Sequence, residues 1–296
     1  MPNIAVASTR PEVELCYETF GSPGDPAVLL VAGFIVQLNC WEPEFCERIA
    51  AGGRYVIRFD NRDCGLSTKL DGQVAQPLDV LSTRLAGGEI PPVPYTLSDM
   101  ASDGAGLLGA IGIEAAHVVG ASMGGMIAQT MAIEHPGRVL SLTSIMSSPG
   151  DPRTGRPTPA ALDVLLTTPP TERTAYLDAA ALTMVWASQR YGDVERIRRR
   201  AGESFDRSFY AEGGSRQLAA IYASGDRTDR LRDLAVPTLV IHGRDDTLIG
   251  LDGATSTAEA VPGAHLLLLG DMGHDLPEPL WPLLVSAILA HTAPHQ

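Results

Sequence analysis

Short apolar runs bounded by turn-forming residues recur along the chain and predict β-strands. Val13–Phe20 carries β-favouring residues and ends at a Gly- and Pro-rich turn. Residues 27–32 form a continuous apolar run, which is typical of a parallel strand buried on both faces. By the same criteria we expect further strands at residues 55–59, 116–120, 139–146, 238–242 and 265–269.

Apolar residues at helical spacing occupy several of the segments between these strands. They predict helices at residues 43–50, 98–111, 123–135 and 280–290, with Ser98 as the N-cap of the second helix. Residues 73–94 are rich in Pro and Gly and are expected to form a loop. From residue 149 to about residue 233 we expect helical segments and turns without a strand.

Strands that alternate with helices predict an α/β fold, in which a mostly parallel sheet is covered by helices on both faces. The strand-free stretch then forms a helical cap inserted over one edge of the sheet. The expected organisation is an N-terminal part of the core at residues 1–149, the cap at 150–230 and a C-terminal part of the core at 231–296.

The charge of the chain narrows the range of partners. The formal net charge of −13 argues against nucleic acid and anionic membranes, because both attract clustered Lys and Arg. The one dense basic run, Arg196 with residues 198–200, is expected to form a solvated helix face. No apolar run approaches the about 20 residues of a membrane span, and the N-terminus lacks a signal-peptide pattern. We therefore expect a cytoplasmic protein that is a monomer or a small homo-oligomer.

The four cysteines show no Cys-x-x-Cys pair and no Cys/His spacing typical of zinc. We interpret them as small buried thiols in a reducing compartment. A disulfide between Cys40 and Cys46 is the alternative.

A Gly-x-Ser-x-Gly motif centred on Ser122 lies between a predicted strand and a predicted helix. A serine on such a sharp strand-to-helix turn exposes its hydroxyl above the sheet, where it can act as a nucleophile. The alternative is a Gly-rich turn with a serine N-cap, and the partners that follow later in the chain favour the nucleophile.

A serine nucleophile needs a histidine base, and the histidine needs an acid that fixes its tautomer. In this type of fold the chain order is serine, acid, histidine. Asp245 and Asp246 both follow the strand at 238–242, and we favour Asp246. His274 lies in a Gly-containing loop after the last strand and is the expected base. A metal cluster of these acidic and histidine side chains is disfavoured, because no paired His spacing accompanies them.

Two backbone N–H groups should stabilise the oxyanion of an acyl-transfer reaction. Met123 follows the nucleophile, and Phe34 follows the first buried strand. Ile35 and Val36 beside Phe34 are expected to line a substrate pocket, although all three residues could instead be core. Cap residues expected in the same pocket, with core packing again as the alternative, are Leu182, Val185 and Trp186, together with Leu165, Leu166 and Met184.

Several of these segments together resemble serine esterases of the α/β-hydrolase superfamily, and within it the aclacinomycin methylesterase group. The resemblance covers most of the chain. It rests on residues 58–67 (RFDNRDCGLS), 95–101 (YTLSDMA), 120–125 (GASMGG) and 236–243 (VPTLVIHG), with Asp246, Gly273 and His274. The dehalogenases and epoxide hydrolases of the family have an aspartate nucleophile where this chain has Ser122. This difference argues against both activities.

The resemblance implies an eight-stranded α/β-hydrolase sheet and a Ser122, Asp246, His274 triad under a helical cap, which follows the sixth core strand. We expect no cofactor and no metal. The chain departs from the family at residues 32–36 (AGFIV), where the family usually has His-Gly or Met-Gly followed by more glycine. The cap shows no match to the family, and the cap determines the substrate.

The sequence therefore predicts a carboxylic ester hydrolase that acts on a moderately sized, apolar small-molecule ester through an acyl-enzyme. Cofactor-free perhydrolysis and carbon–carbon bond hydrolysis use the same triad and are alternatives. A ligand-binding protein that keeps the fold without catalysis is an alternative of another class.

Overall fold

A computed structural model of the protein describes residues 1–6 and 12–293. Within this part of the chain, eight strands form one sheet in the order β1-β2-β4-β3-β5-β6-β7-β8. The strands are β1 Asn3–Val6, β2 Val13–Phe20, β3 Ala27–Val31, β4 Tyr55–Phe59, β5 Ala116–Ala121, β6 Val139–Ile145, β7 Thr238–Gly243 and β8 His265–Leu269.

The sheet is parallel from β4 to β8, whereas β1 and β2 pair in antiparallel fashion at one end. The α-helices are α1 Pro43–Ala51, α2 Pro77–Leu85, α3 Leu97–Ala110, α4 Met123–Glu134, α5 Pro159–Leu165, α6 Arg173–Ala181, α7 Val194–Ser208, α8 Gly213–Ser224, α9 Thr228–Leu231, α10 Leu251–Ala260 and α11 Trp281–His291. Short 3-10 helices occupy Leu38–Cys40, Pro136–Arg138, Leu182–Val185 and Glu278–Leu280. The predicted α/β fold with helices on both faces is thus confirmed.

Strand β3 shows how the sheet is buried on both sides. Successive side chains of a strand point to opposite faces. Leu29 and Val31 pack into the apolar core beneath α3 and α4, whereas Val28 and Leu30 pack into the core beneath α1 and α11. All five residues of β3 are buried, which explains its uninterrupted apolar sequence.

Three local predictions were wrong or incomplete. Helix α2 lies inside residues 73–94, where a loop was predicted; Pro77 starts it, and Arg84 donates hydrogen bonds to carbonyl oxygens of α8. Helix α3 is capped by Thr96 rather than Ser98, because Thr96 and Asp99 form a reciprocal capping box. Strand β1 was not predicted, since four residues give little periodicity.

The segment between β6 and β7 is helical, as predicted, and its two ends meet. The Arg227 N–H donates to the Pro149 carbonyl oxygen at 2.8 Å. The guanidinium of Arg227 is buried and donates to the Ser148 carbonyl oxygen at 3.0 Å. These contacts join the segment that follows β6 to the segment that precedes β7, close to the predicted start and end of the cap. The boundaries of the cap stay a prediction.

All four cysteines lie in the described residues, and all are free thiols, so the alternative Cys40–Cys46 disulfide is wrong. Burial raises the pKa of the Cys40 thiol to about 11 and that of Cys46 to about 12. Across residues 1–6 and 12–293, no helix has the length and apolar character needed to cross a membrane. The cytoplasmic location stays a prediction.

Candidate active site

Ser122 occupies the sharp turn that joins β5 to α4. Its backbone has φ 57° and ψ −124°, which is unusual for a residue with a side chain. The Ser122 N–H donates to the Ile145 carbonyl oxygen at 2.9 Å, and the Ser122 carbonyl accepts from the Ser147 hydroxyl at 2.9 Å. These bonds hold the strained turn, and Ser122 stands at the N-terminal end of α4, where the helix dipole is positive.

The glycines on either side of Ser122 are required by close backbone packing. A Cβ atom at Gly120 would overlap the Gly124 carbonyl oxygen, and a Cβ at Gly124 would overlap the carbonyl oxygen of Val31. Because these neighbours are backbone atoms, they cannot rotate away. The motif therefore contains glycine where β5, α4 and β3 approach one another most closely.

We expect Gly124→Ala to lower the free energy of unfolding by about 1–3 kcal/mol or more, because the added methyl displaces β3 or α4. Gly137→Ala is the matched control: Gly137 is exposed, and a Cβ there meets nothing within 4 Å. Denaturant unfolding of both variants measures the difference. Equal stabilities would contradict the packing argument.

His274 and Asp246 meet Ser122 from the loops after β8 and β7. The His274 Nε2 atom lies 2.9 Å from the Ser122 hydroxyl oxygen, and His274 Nδ1 lies 2.7 Å from Asp246 Oδ2. The other carboxylate oxygen of Asp246 accepts the N–H groups of Leu248 at 2.9 Å and Ile249 at 2.8 Å. The structure thus brings together the three side chains that the sequence singled out.

The neighbouring acid, Asp245, has a different environment. It is partly exposed, and its carboxylate accepts the N–H of Gln189 at 3.4 Å. Of the two aspartates that the sequence left in competition, Asp246 is the one hydrogen-bonded to His274. Asp245 therefore acts as a loop contact in this structure.

Two further groups beside these side chains have perturbed pKa values. Burial lowers the pKa of His242, which favours the neutral ring, and its Nε2 lies 2.9 Å from the Ile249 carbonyl oxygen. Asp275 follows His274 and accepts the N–H groups of Ser188 and Gly273. Burial raises the pKa of Asp275. Sequence reasoning missed Asp275, although its position beside the expected base was a usable signal.

The two predicted oxyanion donors belong to two separate segments that adjoin the nucleophile. Met123 begins α4, and its N–H, like that of Phe34, donates no hydrogen bond to the part of the chain that the structure describes. A Cβ at Gly33 would lie 3.3 Å from the Ser122 Cβ, so the loop that holds Phe34 is directly beside the serine. Phe34 also lines the cavity described below, whereas Met123 is buried.

A cavity of about 460 Å³ opens above Ser122 and His274. The expected pocket residues Ile35, Val36, Leu182 and Trp186 line it, together with Phe34 and Leu165. Val185 does not: it lies outside this lining, and its carbonyl oxygen accepts the Thr247 hydroxyl at 2.8 Å. Leu166 lines an adjoining cavity of about 390 Å³, and Met184 lines neither.

One end of the larger cavity is polar, which the sequence did not predict. Arg196 and Arg200 of α7 line it, and both pair with Glu42, Arg200 at 2.8 Å. The expectation of a solvated basic helix face was therefore wrong for these two side chains. Arg198 is more exposed and pairs with Asp178 at 3.1 Å. Spacing of four residues puts Arg196 and Arg200 on one helix face, but only the fold turns that face inward.

Among residues 1–6 and 12–293, no group of three or more His, Cys, Asp or Glu side chains could hold a metal ion.

The parallel sheet, the strained serine turn and the serine–histidine–aspartate contacts are features of the α/β-hydrolase fold. The family model described as alpha/beta hydrolase fold matches residues 26–278. The chain belongs to this family.

Two Streptomyces relatives are similar over nearly the whole length. Rhodomycin D methylesterase DauP of Streptomyces sp. (strain C5) is 30% identical, and the match covers 96% of each chain. Rhodomycin D methylesterase DnrP of Streptomyces peucetius is 29% identical over 96% of each chain. Among solved structures, the 2-hydroxy-6-oxo-6-phenylhexa-2,4-dienoate hydrolase of Rhodococcus sp. strain RHA1 superposes with a TM-score of 0.73 at 20% identity, covering 98% of both chains. At this identity the structural match supports the fold alone.

Proposed function

We propose that the protein hydrolyses a carboxylic ester of a small molecule through an acyl-enzyme at Ser122. The observation that carries the proposal is the hydrogen-bond chain from Asp246 through His274 to Ser122, which ends at the cavity. A serine hydroxyl is a weak nucleophile until a base accepts its proton, and this geometry supports His274 as the base and Asp246 as its acid.

Acylation follows from the positions of these groups. The Ser122 oxygen attacks the ester carbonyl carbon while His274 Nε2 accepts the hydroxyl proton. Asp246 accepts the Nδ1–H of His274, which keeps Nε2 free to accept a proton and stabilises the imidazolium that forms. The N–H groups of Phe34 and Met123 are proposed to bind the oxyanion. His274 then donates the proton to the departing alkoxide, and the alcohol leaves.

Deacylation repeats the proton transfers with water in place of serine. His274 Nε2 accepts a proton from water as the water oxygen attacks the acyl carbonyl. The tetrahedral intermediate collapses, the bond to the Ser122 oxygen breaks, and His274 returns the proton to that oxygen. The acid product leaves and the enzyme is restored.

The substrate is proposed to be a methyl ester of a moderately sized, mostly apolar acid. The names of the two Streptomyces relatives support methyl ester cleavage. The cavity of about 460 Å³ lies in the usual size range of small-molecule sites. Residues 150–230 are proposed to act as the cap, since α6 and α7 contribute lining residues such as Tyr176 and Ile197.

A panel of esters tests this proposal. We expect hydrolysis of p-nitrophenyl esters with short or medium acyl chains and of methyl esters of bulkier apolar acids, followed by absorbance and by acid release. A fluorophosphonate should label the protein once, and mass spectrometry should locate the label on the peptide that contains Ser122. Cleavage of a vinylogous diketone without ester hydrolysis would favour carbon–carbon bond hydrolysis. Reaction of hydrogen peroxide with a short carboxylic acid without ester hydrolysis would favour perhydrolysis. Tight ligand binding with no turnover would overturn the enzymatic proposal.

A further inference from the structure

The loop that follows β3 is held at two peptide groups on either side of the proposed oxyanion donor. The Asn61 side-chain amide donates to the Ala32 carbonyl oxygen at 2.9 Å. The N–H of Ile35 donates to the Gln217 side-chain oxygen at 2.8 Å. The peptide between them, Gly33–Phe34, carries the Phe34 N–H, so its direction is set by its two restrained neighbours.

The backbone of this loop does not hold its shape by itself. Ile35 has φ 51°, in the left-handed region that a β-branched residue rarely adopts. Its side chain is exposed to the cavity and gains little from core packing. The left-handed turn therefore depends on contacts from outside the loop, and the hydrogen bond to Gln217 is the one made by the Ile35 amide.

Gln217 is suited to holding the loop because both the oxygen and the nitrogen of its side-chain amide form hydrogen bonds. It lies in α8, is fully buried, and donates from Nε2 to the Arg62 carbonyl oxygen at 2.9 Å. Arg62 in turn pairs with Asp103 at 2.6 Å, and both side chains are buried. Asn61 and Arg62 are adjacent, so one restraint on the loop comes directly from this segment and the other comes through Gln217, which is hydrogen-bonded to it.

We propose that Gln217 is a positioning residue that directs the Phe34 N–H toward the oxyanion. This inference rests on the proposed function. Gln217 does not line the cavity, so it acts through the loop rather than on the substrate. The oxyanion exists only at the tetrahedral stage, so a misdirected Phe34 amide weakens binding of the transition state and leaves ground-state binding intact.

The test compares Gln217→Leu with Gln129→Leu. Gln129 is also fully buried; it donates to Ser144 at 3.1 Å and accepts from Arg227 at 3.2 Å, away from the loop. For Gln217→Leu we expect kcat on an active ester to fall about 10- to 100-fold with KM nearly unchanged. Affinity for a trifluoromethyl ketone, which forms an oxyanionic adduct at Ser122, should fall by the same factor. Gln129→Leu should change neither.

Gln217→Glu keeps the shape and provides a second measurement if the leucine variant does not fold. A protonated Glu can accept from Ile35 and donate to the Arg62 carbonyl, whereas an ionised Glu repels that carbonyl. The ratio of variant to wild-type kcat should therefore rise as pH falls. Because an ionised Glu at this position also destabilises the fold, kcat is divided at each pH by the folded fraction measured by circular dichroism, and the pH profile that remains reports the positioning role.

The outcomes separate the two proposals. An active wild type, with Gln217→Leu retaining wild-type kcat and trifluoromethyl ketone affinity, would overturn the inference alone. Equal kcat losses in Gln217→Leu and Gln129→Leu would also overturn it. A wild type that hydrolyses no ester would overturn the proposed function and the inference with it.

Discussion

Ser122→Ala is expected to lower kcat for ester hydrolysis by about 10³-fold or more. The variant lacks the oxygen that forms the acyl-enzyme, and His274 Nε2 then has no hydroxyl 2.9 Å away to deprotonate. Residual turnover would come from water and the backbone donors alone. Substrate binding should persist, because the alanine side chain is smaller and the cavity lining is otherwise unchanged.

Ser144→Ala is the matched control for this variant. Ser144 is a buried serine on β6, directly opposite Gly120 in the sheet, and its hydroxyl accepts from Gln129 at 3.1 Å. Initial rates on one p-nitrophenyl ester, with fluorophosphonate labelling followed by mass spectrometry, give the comparison. If the Ser122→Ala variant keeps wild-type kcat, or is still labelled by the fluorophosphonate, Ser122 is ruled out as the nucleophile.

Asp246→Asn is expected to lower kcat by about 10⁴-fold, the size of effect known for the wrong histidine tautomer. The N–H groups of Leu248 and Ile249 require an oxygen at the position of Asp246 Oδ1. The asparagine amide would then present its NH₂ to His274 Nδ1. That arrangement places the ring proton on Nε2, which can no longer accept the proton of Ser122.

Asp245→Asn provides the control within the same loop. Asparagine can still accept the N–H of Gln189, so we expect kcat to change by no more than about threefold. Steady-state kinetics of both variants, with thermal unfolding to check the fold, decide between the two acids. A larger loss in Asp245→Asn than in Asp246→Asn would assign the acid to Asp245.

The core strands and the residues of the candidate site could be predicted from the sequence because their causes are local. A strand buried on both faces must be apolar throughout, as in β3. The backbone approaches Gly120 and Gly124 so closely that no side chain fits there. The motif around Ser122 can therefore be recognised from the amino-acid sequence. The order serine, aspartate, histidine follows from the order of the strand ends.

Helix α2 and the polar end of the cavity could not be predicted, because each depends on residues distant in the chain. Arg84 reaches the carbonyl oxygens of α8, and Arg196 reaches Glu42, which is 154 residues away. The pattern of α7 predicted a charged helix and carried no information about which arginines would face the cavity. The orientation of a helix depends on what it packs against.

By itself the sequence determined the fold class and named Ser122, Asp246 and His274, since apolar runs, glycines and chain order are local properties. Only the tertiary structure showed that Asp246, which the sequence favoured, is hydrogen-bonded to His274, whereas the Asp245 carboxylate accepts the N–H of Gln189. It alone brought Gln217 to the Ile35 amide across 182 residues. A hydrogen bond between distant side chains requires the folded backbone to place donor and acceptor, and no sequence periodicity encodes that distance.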